Sequence, residues 1–396
     1  MAATVDSSVN FVLQVLLWGS IGLVALAYLV YPLAIFVASR LFGRQPAPLC
    51  RSGEDCPRVS VLVSALNEEQ VIAERIQNVL AQDYPADRLQ IVIASDGSTD
   101  RTAQIVRQWA QRYPGRVRLL DYPVRRGKAS VLNESIPAVA SEIVVLSDAN
   151  TFFEPRAVRQ LVRWFADPSV GVVCGELVLV DPRGGRNVDS LYWRYEKFLK
   201  ACEGRLGALL GSNGAIYALR RDQFVPIDRN TIIDDFMIPL LVRIRHGRRI
   251  VYDVQAIAHE ETPPDVSAEF SRRARIGAGG FQSLLWLWPL LSPTHGWLSF
   301  AFWSHKVLRW LCPAFLAVAL VANVLLAGQP PYGYVLAAHL GFYLVALVGT
   351  FVPGHGLAPR LVRLVTMFLS MNLALGVGFW RWVAGQQGGM WQRTAR

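Results

Sequence analysis

The sequence predicts an α/β domain with a mostly parallel sheet, joined to about four transmembrane helices and to interfacial helices. The chain has 396 residues, of which 52% are hydrophobic, and a formal net charge of +10. Long apolar runs lie towards its two ends, and short apolar runs alternate with helical patterns between them. Such a chain is too apolar to be wholly soluble and too charged in its middle to be wholly embedded in a membrane.

The first apolar run covers residues 11–38, which exceeds the roughly 20 residues that a helix needs to cross a bilayer. It is also too long for the core of a signal peptide, and no cleavage site follows a basic start. It therefore predicts a retained transmembrane helix. This helix and a basic flank form the first expected region, residues 1–44.

Two further expected regions lie near the other end of the chain. Residues 283–306 contain four tryptophans, which favours interfacial helices at the level of the lipid headgroups. Residues 307–396 contain apolar runs at 307–327, 334–352 and 361–383, each bounded by Pro, Gly or Arg. These runs predict about three more spans.

The positions of the arginines predict the orientation of the chain. No Lys or Arg precedes Phe11, whereas arginines follow the first span at Arg40, Arg44, Arg51 and Arg58. The positive-inside rule then puts the central region in the cytoplasm of a multi-pass protein of the cell (inner or plasma) membrane. Four full spans would leave Arg381, Arg393 and Arg396 outside, so whether the last segment crosses completely stays open.

The central region, residues 57–282, has the pattern of a sheet covered by helices. Strands are predicted at residues 59–64, 89–94, 117–120 and 143–146, and helices at 68–81, 99–113 and 128–140. This alternation is typical of a parallel sheet, whose ligands gather at the carboxyl ends of the strands.

Polar side chains follow three of these strands. Asp148-Ala149-Asn150 follows the fourth strand, and a carboxylate there suits a divalent cation that holds an acidic substrate. Asn67 and Glu68 follow the first strand, and Asp96 follows the second, where a nucleotide could meet hydrogen-bond acceptors and a helix N-terminus. Simple capping of the second helix by Ser98 or Thr99 is the alternative, and for Asp100 capping is the favoured role.

Three other polar clusters need interpretation. In Arg125-Arg126-Gly127-Lys128 the glycine lets the backbone approach a ligand and the cations could neutralise a diphosphate, although a solvated loop is the alternative. Asp234 and Asp235 precede a helix expected from Phe236, which Asp234 could cap. His259-Glu260-Glu261 is interpreted as a solvated turn before two prolines rather than as a metal cluster.

In their order and spacing these motifs resemble the catalytic domain of family-2 glycosyltransferases with a GT-A fold. The likeness is greatest to the membrane-integrated synthases of cellulose, hyaluronan or poly-N-acetylglucosamine, and it covers roughly residues 58–282. It implies an inverting enzyme that moves a sugar from a nucleotide-diphospho-sugar, with a UDP-sugar as the expected donor. The implied acceptor is a polysaccharide or a lipid-linked molecule at the membrane.

The resemblance also implies roles for matching residues. Asp235 is the general base, with Asp234 beside it in the catalytic motif. The implied nucleotide-sugar ligands are Asn67, Glu68, Asp96, Lys128, Asp148 and Arg275. The implied acceptor residues are Gly211, Ser212, Asn213 and Arg272. Asp148 and Asn150 would hold Mg²⁺ or Mn²⁺.

The expected partners are the sugar nucleotide, the acceptor, the bilayer and synthase or export subunits. No nucleic acid is expected, since the sequence contains no recognised nucleic-acid module.

The sequence departs from the family pattern at three positions. Asn150 replaces the second Asp of the metal motif, which removes one negative charge. Arg272 and Ile276 replace the Gln and Trp of the Gln-X-X-Arg-Trp motif, and Ile276 offers no face on which a sugar could stack. Transfer of a single sugar is therefore an alternative to polymer synthesis. A non-catalytic membrane subunit that binds a sugar nucleotide or a synthase partner is the second alternative.

Overall fold

The computed structural model describes residues 7–44, 47–48, 56–180, 191–261, 266–349 and 356–389. Two compact units make up the chain. The helical unit comprises residues 1–34, 265–285 and 302–387, and the α/β unit comprises residues 35–264, 286–301 and 388–396. Arg51, Arg393 and Arg396, which enter the predicted orientation, lie outside the described residues.

The strands are β1 (Val59–Ala65), β2 (Leu89–Asp96), β3 (Val117–Tyr122), β4 (Ile143–Ser147), β5 (Phe152–Phe153), β6 (Val170–Val180), β7 (Tyr217–Arg220) and β8 (Arg249–Glu261). The helices up to the end of the α/β core are α1 (Ser7–Ala25), α2 (Tyr31–Leu41), α3 (Ile72–Leu80), α4 (Thr102–Arg112), α5 (Lys128–Ala138), α6 (Ala157–Val162), α7 (Leu191–Arg205) and α8 (Asp234–His246). The remaining helices are α9 (Val266–Trp286), α10 (Trp297–Ala301), α11 (Leu308–Leu326), α12 (Tyr332–Val348) and α13 (Leu357–Val383).

All eight described strands belong to one sheet, in the order β3-β2-β1-β4-β7-β6-β8-β5. The pairs β3/β2, β2/β1, β1/β4 and β6/β8 are parallel, whereas β7 is antiparallel to both of its neighbours and β5 is antiparallel to β8. The predicted mostly parallel sheet is therefore confirmed. After β3 the chain returns to the other side of β1 to form β4, and ligands of such sheets bind at this switch point.

Mostly apolar runs with a few buried serines form the central strands because helices cover both faces of the sheet. All seven residues of β1 and all five of β4 are buried. The covering helix α3 packs against the sheet with Ile72, Ile76 and Val79, which are fully buried and recur at helical spacing.

The ends of some elements differ from the prediction. Strand β2 continues to Asp96, which is thus its last residue. Helix α3 begins at Ile72 rather than at residue 68, because the backbone first turns with the carbonyl of Glu68 accepting from the N–H groups of Val71 and Ile72. Helix α8 begins at Asp234, so the expectation that Asp234 caps a helix from Phe236 is wrong.

The interpretation of residues 259–261 as a solvated turn is also wrong. His259, Glu260 and Glu261 are the last three residues of β8. Strand β8 pairs with β6 as far as Glu261 and with β5 at residues 258 and 259. The two ladders keep this acidic segment extended as far as Glu261, which the residue types alone did not indicate.

The part of the chain that the structure describes contains fewer full-length spans than expected. Three helical segments are long and apolar enough to cross a membrane: Ser7–Leu41, Trp297–Leu326 and Ala358–Val383. Helix α12 has 17 residues and rises about 26 Å, less than the hydrocarbon core of roughly 30 Å. The predicted first, second and fourth spans thus have counterparts, whereas the third is a shorter apolar helix.

The aromatic segment has different boundaries from those expected for interfacial helices at 283–306. Its first residues complete α9, two short 3₁₀ turns follow at residues 288–291 and 293–295, and α10 continues through a π-helical turn into α11. Trp297 and Trp303 therefore belong to the long apolar helix that starts at Trp297.

Helices α9 and α13 approach each other to backbone contact. A Cβ atom on Gly378 would lie 2.3 Å from the carbonyl oxygen of Ala274 and 2.8 Å from the backbone nitrogen of Ala278. Small residues at such crossings let helices pack closely in a membrane. The position of α9, which carries Arg272 and Arg275, is thus fixed within the helical unit by this contact.

Candidate active site

The loops after β1 and β2 are joined by hydrogen bonds. Asn67 has a left-handed backbone (φ 55°), and its Oδ1 accepts from the backbone N–H of Thr99 at 2.8 Å. The N–H of Glu68 donates to the hydroxyl of Thr102 at 2.8 Å. These contacts give Asn67 and Glu68 a role in shaping the site, and their predicted contact with a nucleotide stays a prediction.

Of the residues considered as caps of α4, the structure supports Asp100 rather than the alternatives Ser98 and Thr99. Helix α4 begins at Thr102, and the carboxylate of Asp100 accepts from the backbone N–H of Thr102 at 2.9 Å. The hydroxyl of Ser98 instead accepts from the backbone N–H of Asn67 at 3.1 Å. Asp100 is therefore the residue that satisfies an N–H group at the start of this helix.

Asp96 holds the basic loop that precedes α5. Its side chain is buried, Oδ1 accepts from the N–H of Arg126 at 2.7 Å, and Oδ2 accepts from the N–H of Gly127 at 2.9 Å. A buried carboxylate with both oxygens engaged fixes the path of the loop and so the position of Lys128. The predicted contact of Asp96 with a nucleoside would have to use its remaining lone pairs.

The cations of the basic loop have different partners. The guanidinium of Arg126 binds Glu134 through two contacts, at 2.5 and 3.0 Å, and lies over the ring of Tyr122. The ammonium of Lys128 lies 3.0 Å from Oδ1 of Asp148 and 3.3 Å from Oδ2 of Asp234. Lys128 is thus the cation that the structure brings to the predicted metal and catalytic motifs.

Opposing effects set the pKa of Lys128. Burial disfavours the ammonium, but the carboxylates of Asp148, Asp234 and Asp235 outweigh burial and raise the pKa of Lys128 above its usual value. Lys128 is therefore charged at neutral pH. It partly neutralises a set of carboxylates contributed by the end of β4 and the first turn of α8.

Asp235 contacts the predicted acceptor segment, which is Gly211-Ser212-Asn213-Gly214. Its Oδ2 accepts from the N–H of Gly214 at 3.0 Å, and its backbone oxygen accepts from the N–H and hydroxyl of Ser212 at 3.0 and 2.8 Å. Burial, and then the charge of Asp234, raise the pKa of Asp235 above that of an ordinary aspartate. A carboxylate with a raised pKa is a better proton acceptor near neutral pH.

The rest of the acceptor segment is held by backbone geometry and by α7. Gly211 has φ +80°, and a Cβ there would lie 3.0 Å from the ring of Phe236. Asn213 donates to the carbonyl of Gly175 at 2.9 Å and accepts from the ammonium of Lys200. The segment of Gly211, Ser212 and Asn213 thus lies beside Asp235, and its predicted contact with an acceptor stays a prediction.

Arg75 is a residue of the site that the sequence analysis missed. Its guanidinium is fully buried, donates to the hydroxyl of Ser147 at 2.9 Å and to Asn78 Oδ1 at 2.7 Å, and lies 4.1 Å from the ring centre of Phe153. Asn78 in turn binds the backbone N–H and carbonyl of Phe153, each at 2.8 Å. The loop that carries Asp148 is therefore hydrogen-bonded to α3 at both of its ends, at Ser147 and at Phe153.

The charge of Arg75 persists despite its burial. Burial lowers the pKa of Arg75 to about 9, and the nearby Asp148 carboxylate opposes the shift. The guanidinium thus remains charged at neutral pH. Arg75 lies at helical spacing from Ile72, Ile76 and Val79, on the apolar face of α3. A charged residue on such a face is expected to be buried, so this spacing could have identified Arg75 from the sequence.

The donor atoms near Asp148 suit a divalent cation. Asp148 offers a carboxylate whose side chain is 38% exposed, and the Nδ2 of Asn150 donates to Glu260 Oε1 at 3.3 Å, which leaves the amide oxygen as its ligand atom. Among the described residues, no three His, Cys, Asp or Glu side chains form a complete metal cluster. One or two carboxylates together with substrate phosphates are, however, the usual ligands of Mg²⁺.

Arg272 and Arg275 belong to α9 in the helical unit. Nε of Arg272 donates to Glu269 at 3.0 Å, and the neighbouring Arg273 donates to the same carboxylate at 2.7 Å. Ile276 is 38% exposed. The predicted roles of Arg272 and Arg275 at an acceptor or a diphosphate stay predictions.

A protein of known structure shares this fold. The mannosyltransferase PcManGT from Pyrobaculum calidifontis, solved in complex with GDP-Man and Mn²⁺, superposes with a TM-score of 0.71 over 94% of this chain and 99% of its own, at 23% identity. That likeness establishes the GT-A fold.

Two relatives are similar in sequence. The beta-monoglucosyldiacylglycerol synthase of Synechocystis sp. is 28% identical over 68% of this chain, and the poly-beta-1,6-N-acetyl-D-glucosamine synthase of Staphylococcus epidermidis is 24% identical over 59%. In both cases the match spans 57% of the relative's own length.

Two family descriptions match the chain. Glycosyl transferase family 2 matches residues 60–224, which contain Asp96, Lys128 and Asp148. Glycosyl transferase family group 2 matches residues 143–354, more than half of the 396 residues. The chain therefore belongs to glycosyl transferase family group 2, and its residues 60–224 match glycosyl transferase family 2.

Proposed function

We propose that this enzyme transfers a sugar from a nucleotide-diphospho-sugar to an acceptor at the membrane, with inversion at the anomeric carbon and Asp235 as the general base. One observation carries the proposal. The carboxylate of Asp235, with its raised pKa, contacts Gly214 of the acceptor segment, and its neighbour Asp234 is paired with Lys128 and through it with Asp148. A base beside the acceptor and a cation beside the donor's charge are what a direct displacement needs.

The two adjacent aspartates have different environments, which supports different roles. Asp234 forms an ion pair with Lys128 at 3.3 Å, so its charge is already engaged. Asp235 accepts a hydrogen bond from a neutral N–H group, and burial disfavours its ionised form. Asp235 is therefore the better proton acceptor for the attacking hydroxyl, and Asp234 positions Lys128.

On the donor side, the chain's own residues bind and orient the diphosphate. Lys128 contributes a fixed positive charge, and Asp96 keeps the backbone of the basic loop in place. Asp148 and Asn150 are the residues that would hold Mg²⁺ or Mn²⁺, and a cation bound there would neutralise the charge that develops on the departing nucleoside diphosphate. A UDP-sugar is the first donor to test.

For the acceptor we favour a membrane lipid that receives one sugar. The relative that matches 68% of this chain is named for a glucosyl lipid, and Ile276 offers no aromatic face for a growing sugar chain. Synthesis of a polysaccharide is the second candidate, supported by the relative named for poly-N-acetylglucosamine. The three apolar helices favour a multi-pass protein, and the arginine distribution favours a cytoplasmic α/β unit at the inner or plasma membrane.

The test is a donor and acceptor screen on the purified full chain in lipid nanodiscs. UDP-sugars and GDP-mannose are supplied with Mg²⁺ or Mn²⁺ and with diacylglycerol, polyprenyl phosphate or oligosaccharide acceptors. We expect nucleoside diphosphate release and a lipid product heavier by one sugar, of opposite anomeric configuration to the donor. A ladder of products would favour the second candidate. Nucleotide binding without release across the whole panel, equal for wild type and Asp235→Asn, would contradict catalysis and indicate a binding subunit.

A further inference from the structure

We infer that Glu260 is part of the divalent-cation site and supplies the carboxylate that the Asp148-Ala149-Asn150 motif lacks. This inference rests on the proposed function, because it concerns the cation that the proposed donor would bring with its diphosphate. It assigns Glu260 as a ligand or as the residue that orients the amide oxygen of Asn150. In both cases the negative charge of Glu260 contributes to cation affinity.

The sheet brings Glu260 to the motif. Strand β5 follows the motif directly and pairs antiparallel with β8, so that Phe152 lies opposite His259 and Phe153 opposite Ala258. The last pair of this ladder therefore brings the chain just before β5 close to the end of β8. Glu260 thereby lies next to Asn150, and the contact between Asn150 Nδ2 and Glu260 Oε1 is 3.3 Å.

The contact also orients the amide of Asn150. Because its NH₂ group donates to a carboxylate, Asn150 presents its oxygen as the only atom that could meet a cation. A carboxylate that fixes a ligand in this way is a common feature of metal sites and strengthens binding. Strand β6 also pairs with β8, with Leu179 opposite Glu260. Glu260 therefore belongs to a strand that pairs with β6 on one side and with β5 on the other.

The charge of the motif gives a second reason to assign Glu260 to the cation site. Oδ1 of Asp148 already receives the ammonium of Lys128, so the Asp148-Ala149-Asn150 motif offers a cation one partly compensated carboxylate and one neutral amide. Removal of one carboxylate weakens the binding of a hard cation. Glu260 restores the charge that an aspartate at position 150 would have provided, but from a different strand.

The experiment measures Mn²⁺ binding directly and independently of turnover. Purified full-length protein is titrated with Mn²⁺ in the presence of UDP and, in parallel, of GDP, and free Mn²⁺ is followed by electron paramagnetic resonance. We expect Glu260→Gln to weaken Mn²⁺ affinity by about tenfold or more. Asn150→Asp combined with Glu260→Gln should recover most of the loss, since the carboxylate has moved back into the motif.

Glu261→Gln is the matched control. Glu261 is the next residue of β8, exposed, and on the opposite face of the strand, so the same change there should leave Mn²⁺ affinity within about twofold. Thermal unfolding and nucleotide binding in EDTA check that each variant is folded. Should Glu260→Gln unfold the chain, Glu260→Asp replaces it, with a smaller loss of affinity expected.

Three outcomes would overturn the inference. Wild-type Mn²⁺ affinity in Glu260→Gln would remove Glu260 from the site, and equal losses in Glu260→Gln and Glu261→Gln would reduce its effect to general surface charge. Failure of the wild type to bind Mn²⁺ while it still releases nucleoside diphosphate in EDTA would also overturn it. In that last case the proposed sugar transfer would stand without a metal, so the two proposals fail separately.

Discussion

The ammonium of Lys128 lies 3.0 Å from Oδ1 of Asp148, which joins the start of α5 to the end of β4 at the carboxyl edge of the sheet. The same ammonium lies 3.3 Å from Asp234, the first residue of α8. One lysine thus connects the proposed donor and catalytic motifs. Its charge also acts on Asp235, whose pKa depends on both neighbours.

Substitution of the proposed base should separate activity from stability. Asp235→Asn is expected to reduce kcat by about 10²- to 10⁴-fold, the usual contribution of a general base. It should also raise the Tm, because burial raises the pKa of Asp235 and its ionised form therefore destabilises the folded state at every pH above the ordinary aspartate value. Nucleoside diphosphate release and thermal unfolding at pH 7.5 measure the two effects. Undiminished kcat would remove Asp235 from its role.

The pH profile should move in opposite directions in two variants. Activity needs ionised Asp235, so the acid limb of kcat follows the raised pKa of that group. Asp234→Asn removes a negative neighbour and should shift the limb to lower pH, whereas Lys128→Met removes a positive one and should shift it to higher pH. Shifts in the same direction would show that another group governs the limb.

Loss of the carboxylate of Asp96 should loosen the basic loop. Asp96→Asn turns one acceptor into an NH₂ group that faces a backbone N–H of Arg126 or Gly127, which should cost about 1–3 kcal/mol of unfolding free energy. The KM for the donor should rise, because the loop no longer fixes Lys128. Denaturant unfolding and donor titration test this, with Asp121→Asn, on the exposed surface, as the control.

The buried Arg75 and an exposed arginine provide a matched pair. Arg75→Met removes donors to Ser147 and Asn78 and should destabilise the fold by about 1–3 kcal/mol, with a raised KM for the donor because Asp148 is less firmly held. Arg101, whose side chain is 75% exposed, pairs with Glu69 at 3.2 Å, and Arg101→Met should cost no more than about 1 kcal/mol. Equal effects on stability would contradict the proposed function of Arg75 in holding the motif.

Two glycines in apolar helices should respond differently to alanine. Gly378→Ala places a Cβ 2.3 Å from the carbonyl oxygen of Ala274 and should lower the Tm in detergent, because α9 and α13 must separate. Gly341→Ala on α12 has nothing within 4 Å, so alanine should leave the Tm unchanged or raise it, since it favours the helix by about 0.5–1 kcal/mol. A Tm unaffected by Gly378→Ala would contradict the close crossing.

Residue patterns were sufficient to predict β1 to β4, but not where each element ends and not the strands β5 to β8. The apolar runs that form β1, β2 and β4 were predicted within two residues, because a strand buried on both faces requires a continuous apolar sequence. The first turn of α3 was predicted too early, because the N–H of Glu68 donates to Thr102 at the start of α4 and the carbonyl of Glu68 closes a turn with Val71 and Ile72 before the helix begins. Residues 259–261 were assigned to a turn because strand pairing, and not composition, keeps them extended.

The sequence by itself determined the family, the sheet and the motifs at the strand ends, since periodicity and order along the chain are local properties. Only the tertiary structure decided which residues share the site. It brought Asp234 and Lys128 to Asp148, placed a buried arginine beneath that motif and set Glu260 beside Asn150. Such pairings depend on which strands are neighbours in the sheet, and the order of the strands in the sheet differs from their order in the sequence.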